Sequence, residues 1–240
     1  MMYEKLKQLI LDLDGMNLHP FIGYGNPDAR LLIVGKECAS PEGSEEWKKY
    51  YMPNFIHWKE SFEGHGFGFN SGKIPYDFDN GNFHPIFPFY QQRNKIRRKE
   101  GENATSATYY YYQRLVDKIR QLANPNYKSP EHIDFFESCF ITELNDISRL
   151  NDKNLKKREH EEIEQHIRER FDWMRRTNYF NQFKVVILAC GPYAKAINND
   201  EKLKTDLFGK AYVVHCHQLS FWDKKSLDGK IAKIYEELNM

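Results

Sequence analysis

The chain is 240 residues long, enough for one sizeable α/β core. Its 35 Lys and Arg against 34 Asp and Glu leave a formal charge of +1, so net charge gives no nucleic-acid signal and only local clusters remain as phosphate binders. Acids inside the N-terminal apolar stretch exclude a signal peptide, no run approaches the length of a membrane span, and four scattered cysteines (Cys38, Cys139, Cys190 and Cys216) read as reduced, buried thiols, so a cytoplasmic protein is expected.

Residues 3–14 carry Leu6, Leu9, Ile10 and Leu13 at helical spacing, which predicts an amphipathic helix. GYGNPDA breaks it, and the apolar run Leu31 to Val34, ending in Gly35, predicts a strand buried on both faces. Residues 44–62 predict a helix with Ser44 as its cap. Residues 64–104 are rich in Gly, Pro and Asn with interleaved Phe and Tyr. That composition predicts a long ordered loop or insertion, since a flexible linker would not carry so many aromatics. Residues 106–122 predict a helix, 137–144 a strand and 156–178 a charged helix with Ile163, Ile167, Phe171 and Met174 on one face. Residues 183–190 are the clearest buried strand. A short helix follows with Pro192 near its first turn, then a strand at 211–216 and a closing helix at 224–238.

Strands near 31, 139, 185 and 212 separated by helices predict an α/β fold: one domain spanning residues 1–240, three layers α/β/α, with a mostly parallel four-stranded central sheet. Ligands of such sheets bind outside the carboxyl ends of the strands, which makes GKECAS, TELNDISR, ACGPYA and HCHQLS the segments of interest. The first offers Glu37, able to polarise a water or stabilise a developing cation, or merely to cap a helix. The second offers Glu143, Asn145 and Asp146. An Asn there can read an amide or base edge with one donor and one acceptor, or simply make a turn. In the fourth, His215 and His217 alternate in direction, so only one points into a cleft. The short paired spacings of zinc sites are absent, and no metal is expected.

Together these segments resemble the uracil-DNA glycosylase superfamily. NPDARLLIVGKECA resembles the family's first motif, a strand leading into Gly-x-Asp-Pro or Gly-Glu-Ala-Pro-Gly. CFITELNDISR resembles the second strand and its base-reading loop. FKVVILACGPYAKAI is similar to the third strand and helix. HCHQLS matches His-Pro-Ser-Pro-Leu-Ser at its first, fifth and sixth positions. The resemblance covers about residues 22–40 and 137–222, and leaves the insertion unmatched.

The resemblance implies a hydrolase that cleaves the N-glycosidic bond of a flipped, deaminated or modified base in DNA. It puts Glu37 at the water-orienting position, His215 on the His that stabilises the departing base anion, Leu219 on the duplex wedge and Ser220 on a phosphate contact. The base-reading Asn falls on Glu143 by strict register, or on Asn145 if the loop slips by two. HGFGFN resembles the family's HGLAFS and puts Phe69 where a Phe stacks on the base. Ser40 would add a phosphate contact, and His217 occupies a Ser position beside the DNA. The chemistry is coherent: extruding a base costs a few kcal/mol, an apolar wedge fills the gap, and a carboxylate and a His donor stabilise the opposite charges that develop. The cluster-ligating cysteines of the thermophile-type branch are absent, so no iron–sulfur cluster and no other cofactor is expected, and the protein is expected to act as a monomer. Cys38 stands for the first motif's Pro, and Cys216 and Gln218 for both Pro of the last. These departures keep two alternatives open: an inactive nucleic-acid or nucleotide-binding module of the same fold, and a hydrolase of free nucleosides.

Overall fold

Two apolar runs and a third that ends in Thr142 and Glu143 make the middle of the sheet. In the computed structural model, which describes residues 2–36, 48, 52–62, 107–130, 133–146, 157–216, 219 and 224–239, a short strand β1 (Tyr24–Gly25) is followed by β2 (Leu31–Gly35), β3 (Cys139–Glu143) and β4 (Val185–Leu188). β2, β3 and β4 are buried at every position, as strands covered on both faces require. The half-exposed β5 (Tyr212–His215) forms one edge. The strand order is β1-β3-β2-β4-β5. β3, β2, β4 and β5 run parallel, with Gly35 beside Glu143, Val34 beside Leu188 and Leu188 beside His215.

The sheet is α/β as expected, but it is not the four-stranded parallel sheet that the sequence pattern predicted. β1 adds a fifth strand, antiparallel to β3, with Tyr24 opposite Ile141 and Gly25 opposite Phe140. Two residues inside a Gly-rich stretch carry no alternation, so the segment reads as a break. Its glycines are what let it pair. Gly23 has φ 136° and Gly25 φ 99°, a region that side chains disfavour, and a Cβ at either would overlap the carbonyl of Ile141 or of Cys139.

A single buried side chain fixes this edge. Asn54 opens α2 (Asn54–Phe62). Its Oδ1 accepts from the amides of Ile22 (2.8 Å) and Gly23 (3.3 Å), and its Nδ2 donates to the Gly23 carbonyl (2.8 Å). Trp58 Nε1 donates to the same carbonyl at 2.8 Å. Held by three hydrogen bonds, a buried amide costs little and locks one geometry.

The remaining helices are α1 (Met2–Gly15), α3 (Ala107–Ala123), α4 (Lys157–Arg176), α5 (Lys195–Asn198), α6 (Glu201–Phe208) and α7 (Lys224–Asn239). α3 packs against α7, and α4 against α6. The apolar positions predicted on α1 and α4 (Leu6, Leu9, Ile10, Leu13; Ile163, Ile167, Phe171, Met174) are all buried. α6 lies in a stretch the sequence pattern left unassigned. Its signals are local: Asp200 accepts from the Leu203 amide as N-cap, and Gly209 (φ 62°) follows its last residue. The predicted insertion at 64–104 and the predicted cap Ser44 lie outside the described residues. Among the described residues, no helix is long and apolar enough to cross a membrane.

Candidate functional site

In the parallel part of the sheet, β2 is followed by β3 on one side, and the chain then crosses to β4 and β5 on the other. Adjacent connections therefore diverge between β2 and β4, which is the switch point where doubly wound sheets form a crevice. Backbone hydrogen bonds tie the strand tips that rim it. The Leu144 amide donates to Gly35 (3.0 Å), Asn145 to Lys36 (2.9 Å), Ala189 to Val34 (2.8 Å) and Cys216 to Leu188 (3.0 Å). Lys36 Nζ lies 5.1 Å from the centroid of the Tyr193 ring, a cation–π contact across the crevice between the β2 and β4 tips.

Glu143 ends β3 with 6% of its surface exposed. Its carboxylate lies on Gly35 so closely that a Cβ there would sit 2.8 Å from the Glu143 carboxyl carbon. Gly35 is thus the residue that lets a carboxylate occupy the tip of the neighbouring strand. Glu143 helps raise the pKa of buried Tyr112 on α3, after burial itself, and holds that phenol protonated. Asn145 is 1% exposed. Glu143 and Asn145 both lie at the β3 tip, with Asn145 wholly buried.

His215 ends β5 exposed, and its carbonyl accepts from Lys230 Nζ of α7 at 3.2 Å. The lateral register makes Thr142, Val34, Leu188 and His215 one row, whereas Gly35 and Glu143 belong to the next. Successive rows point to opposite faces. His215 and Glu143 are thus not brought together within the sheet; a ligand touching both has to pass over the strand tips. Three inter-strand steps of about 4.8 Å also separate their strands by about 14 Å.

Leu219 differs from its expected role. It is 3% exposed and belongs to the hydrophobic core cluster, so in this arrangement it is not the exposed apolar tip that a duplex wedge requires. Five expected site residues, Glu37, Ser40, Phe69, His217 and Ser220, lie outside the described residues.

A charged cluster beside Asn145 was not singled out from the sequence. His166 Nε2 of α4 lies 2.5 Å from Asp146 Oδ1, and Arg170 Nη1 lies 3.6 Å from Asp146 Oδ2. Arg170 Nη2 donates to the Phe21 carbonyl (2.7 Å) and to Thr142 Oγ1 (3.1 Å). The Thr142 hydroxyl donates in turn to the Ile22 carbonyl (2.9 Å). The Arg170 guanidinium stacks 4.1 Å from the centroid of the Trp173 ring. Burial raises the Asp146 pKa, but the His166 hydrogen bond and the Arg170 charge outweigh it and hold the carboxyl below its ordinary value. Burial pulls the Arg170 pKa down to about 10, which leaves it a cation at neutral pH. The legible signal was the His166 and Arg170 spacing of four, which puts both on one helical face.

Among the described residues no group of three His, Cys, Asp or Glu side chains is arranged to hold a metal. Cys139, Cys190 and Cys216 are buried free thiols. Burial pushes the Cys216 pKa up to about 12 and those of Cys139 and Cys190 higher still. No family model matches the chain, and neither does any curated protein or solved structure.

Proposed function

We propose that the protein is a glycosylase-like hydrolase that removes a flipped, deaminated or modified base from DNA by cleaving the N-glycosidic bond. The observation that carries this reading is the joining of the four motif-like segments at one sheet edge. Gly35, Glu143, Asn145, Cys190 and His215 all lie at the carboxyl tips of four adjacent parallel strands, around the crevice where this architecture binds ligands. In the mechanism, Glu37 orients the water, His215 stabilises the negative charge on the leaving base, and Asn145 or Glu143 reads its edge. An ionised Glu143 only accepts hydrogen bonds, whereas an Asn also donates. Reading by Glu143 therefore favours a base that offers adjacent N–H groups over uracil, whose O4 needs a donor.

The test is base release from labelled duplexes carrying uracil, hypoxanthine, xanthine or oxidised pyrimidines, followed by cleavage of abasic sites. Release above that of a Glu37→Ala, His215→Ala double variant is expected for at least one lesion. Equal or no release on all of them refutes the reading.

A second reading is a binding module of the same architecture that holds nucleic acid or a nucleotide without hydrolysis. Two observations favour it: the burial of Leu219 and the placement of His215 and Glu143 on opposite faces. A salt-dependent gel shift that survives Glu37→Ala, with no base released, selects it.

A further inference from the structure

We propose that His166, aligned by Asp146, is a second proton-handling group of the site and acts as the general base toward the attacking water. The inference rests on the hydrolase reading above.

The partner at Nε2 sets the tautomer of the His166 ring. Asp146 is held ionised by the His166 hydrogen bond and the Arg170 charge, so Asp146 Oδ1 is an acceptor and the proton of a neutral His166 sits on Nε2. Nδ1 then carries the lone pair. Among the described residues no hydrogen bond reaches Nδ1, and the side chain is 27% exposed. The ring is thus fixed at one nitrogen and, among the described residues, unbonded at the other, which is the arrangement of a base oriented by a carboxylate.

The support behind the ring is rigid. Arg170 is 3% exposed, tied to Phe21 and Thr142, and stacked on Trp173. Its links to the Phe21 carbonyl and Thr142 Oγ1 extend from the lead into β1 to the end of β3. Asp146 from the β3 tip meets the ring, and Arg170, Glu162 and Glu169 lie one turn away on α4.

Placement follows from the register. Arg170 contacts Thr142, and Thr142 shares its row with His215. The His166 cluster and His215 therefore lie on the same face of the sheet, at the β3 and β5 tips, three inter-strand steps or about 14 Å apart, so one nucleotide reaches both only by lying across the β2 and β4 tips. In the step proposed, His166 Nδ1 takes one proton from water as the water oxygen bonds to C1′ of the nucleotide. The C1′–N bond breaks, and its electron pair leaves with the base, which is stabilised by His215. The base anion then takes up a proton, and the imidazolium returns its own to solvent. The products are an abasic sugar and the free base.

The experiment uses the full chain and the lesion duplex that the wild type cleaves fastest. Single-turnover release is compared across pH for wild type, His166→Gln and Asp146→Asn, with thermal midpoints to verify folding. His166→Gln is expected to slow release by about 10²–10⁴-fold at unchanged KM and to remove the rise of rate with pH. Asp146→Asn, which can stabilise the wrong tautomer, is expected to lower the rate in the same direction. ¹⁵N spectra of the ring in the wild type are expected to show the proton on Nε2. An active wild type with an unchanged rate and pH profile in folded His166→Gln overturns the inference and leaves the hydrolase reading standing. A proton found on Nδ1 overturns it equally. A wild type that releases no base refutes the hydrolase reading, and this inference falls with it.

Discussion

Replacing Arg170 by alanine strikes the point where the fold and the candidate site share one side chain. The guanidinium is 3% exposed and donates to the Phe21 carbonyl and to Thr142 Oγ1 while facing Asp146. Hydrogen bonds from a charged group contribute about 1.5–3 kcal/mol each, and removing one partner of a buried ion pair costs about 3–5 kcal/mol because the other charge is stranded. These figures overlap and do not add. Asp146 also keeps His166 as a partner, so a loss of about 3–5 kcal/mol is expected. That is a large share of the roughly 5–15 kcal/mol that holds a typical domain folded. Urea unfolding of wild type, Arg170→Ala and Arg170→Lys at neutral pH measures it. Lysine keeps the charge but not the planar fork, so an intermediate value is expected. The pH dependence has a fixed sign. The Asp146 pKa is depressed in the folded state, so its contribution is present above the unfolded value, near 4, and is lost as pH falls through the folded value. The gap between wild type and Arg170→Ala therefore narrows on acidification below about pH 4. A neutral-pH loss under about 1 kcal/mol, or a gap independent of pH, would mean that Arg170 and Asp146 do not form a buried charged pair.

Leu219→Ala is expected to cost about 2–4 kcal/mol in denaturant unfolding, as for a core leucine; an unchanged midpoint would return this residue to the exposed role of a wedge. The thiols of Cys139, Cys190 and Cys216 are buried and pushed toward the protonated form, so a disulfide reagent at neutral pH should leave all three unmodified in the folded chain and label them on unfolding, as read by peptide mass. Gly25→Ala is expected to destabilise by about 1–3 kcal/mol through its positive φ and the carbonyl of Cys139, and a thermal midpoint equal to that of wild type would show that β1 is not pinned to β3.

What could be read from the sequence was whatever a burial pattern writes as a run of one residue class. The predicted strands at 31–34, 137–144, 183–190 and 211–216 contain the four parallel strands: the three inner ones are covered on both faces and so read as mainly apolar runs, and the half-exposed β5 still carries the run Tyr212 to Val214. β1 was illegible for the opposite reason: Tyr24 and Gly25 pair with Ile141 and Phe140, and the adjoining Gly23 is held by Asn54, 31 residues away in the chain, and no local pattern records a partner at that distance. α6 falls between these cases. Its apolar positions are few, but Asp200 and Gly209 mark both ends, and cap chemistry at that spacing is readable without any periodicity.

The candidate site divides in the same way. Strand-tip positions follow from chain order, so the placement of Glu143, Asn145 and His215 at one edge is legible in the sequence. Which face each side chain takes depends on lateral register, which chain order does not encode. The register separates Glu143 from His215 and groups His215 with Thr142 and the Arg170 cluster. The same dependence hid the Asp146, His166 and Arg170 cluster. On α4 the apolar stripe of Ile163, Ile167, Phe171 and Met174 reads as the buried face, and a charged residue beside it reads as surface. Arg170 is buried nonetheless, because two backbone-anchored acceptors, an aromatic face and a carboxylate await it on other segments. A buried charge of this kind survives only where its partners are already in position, which is why it marks the part of the edge whose geometry is most tightly set, and why His166, one turn away, is the imidazole to test first.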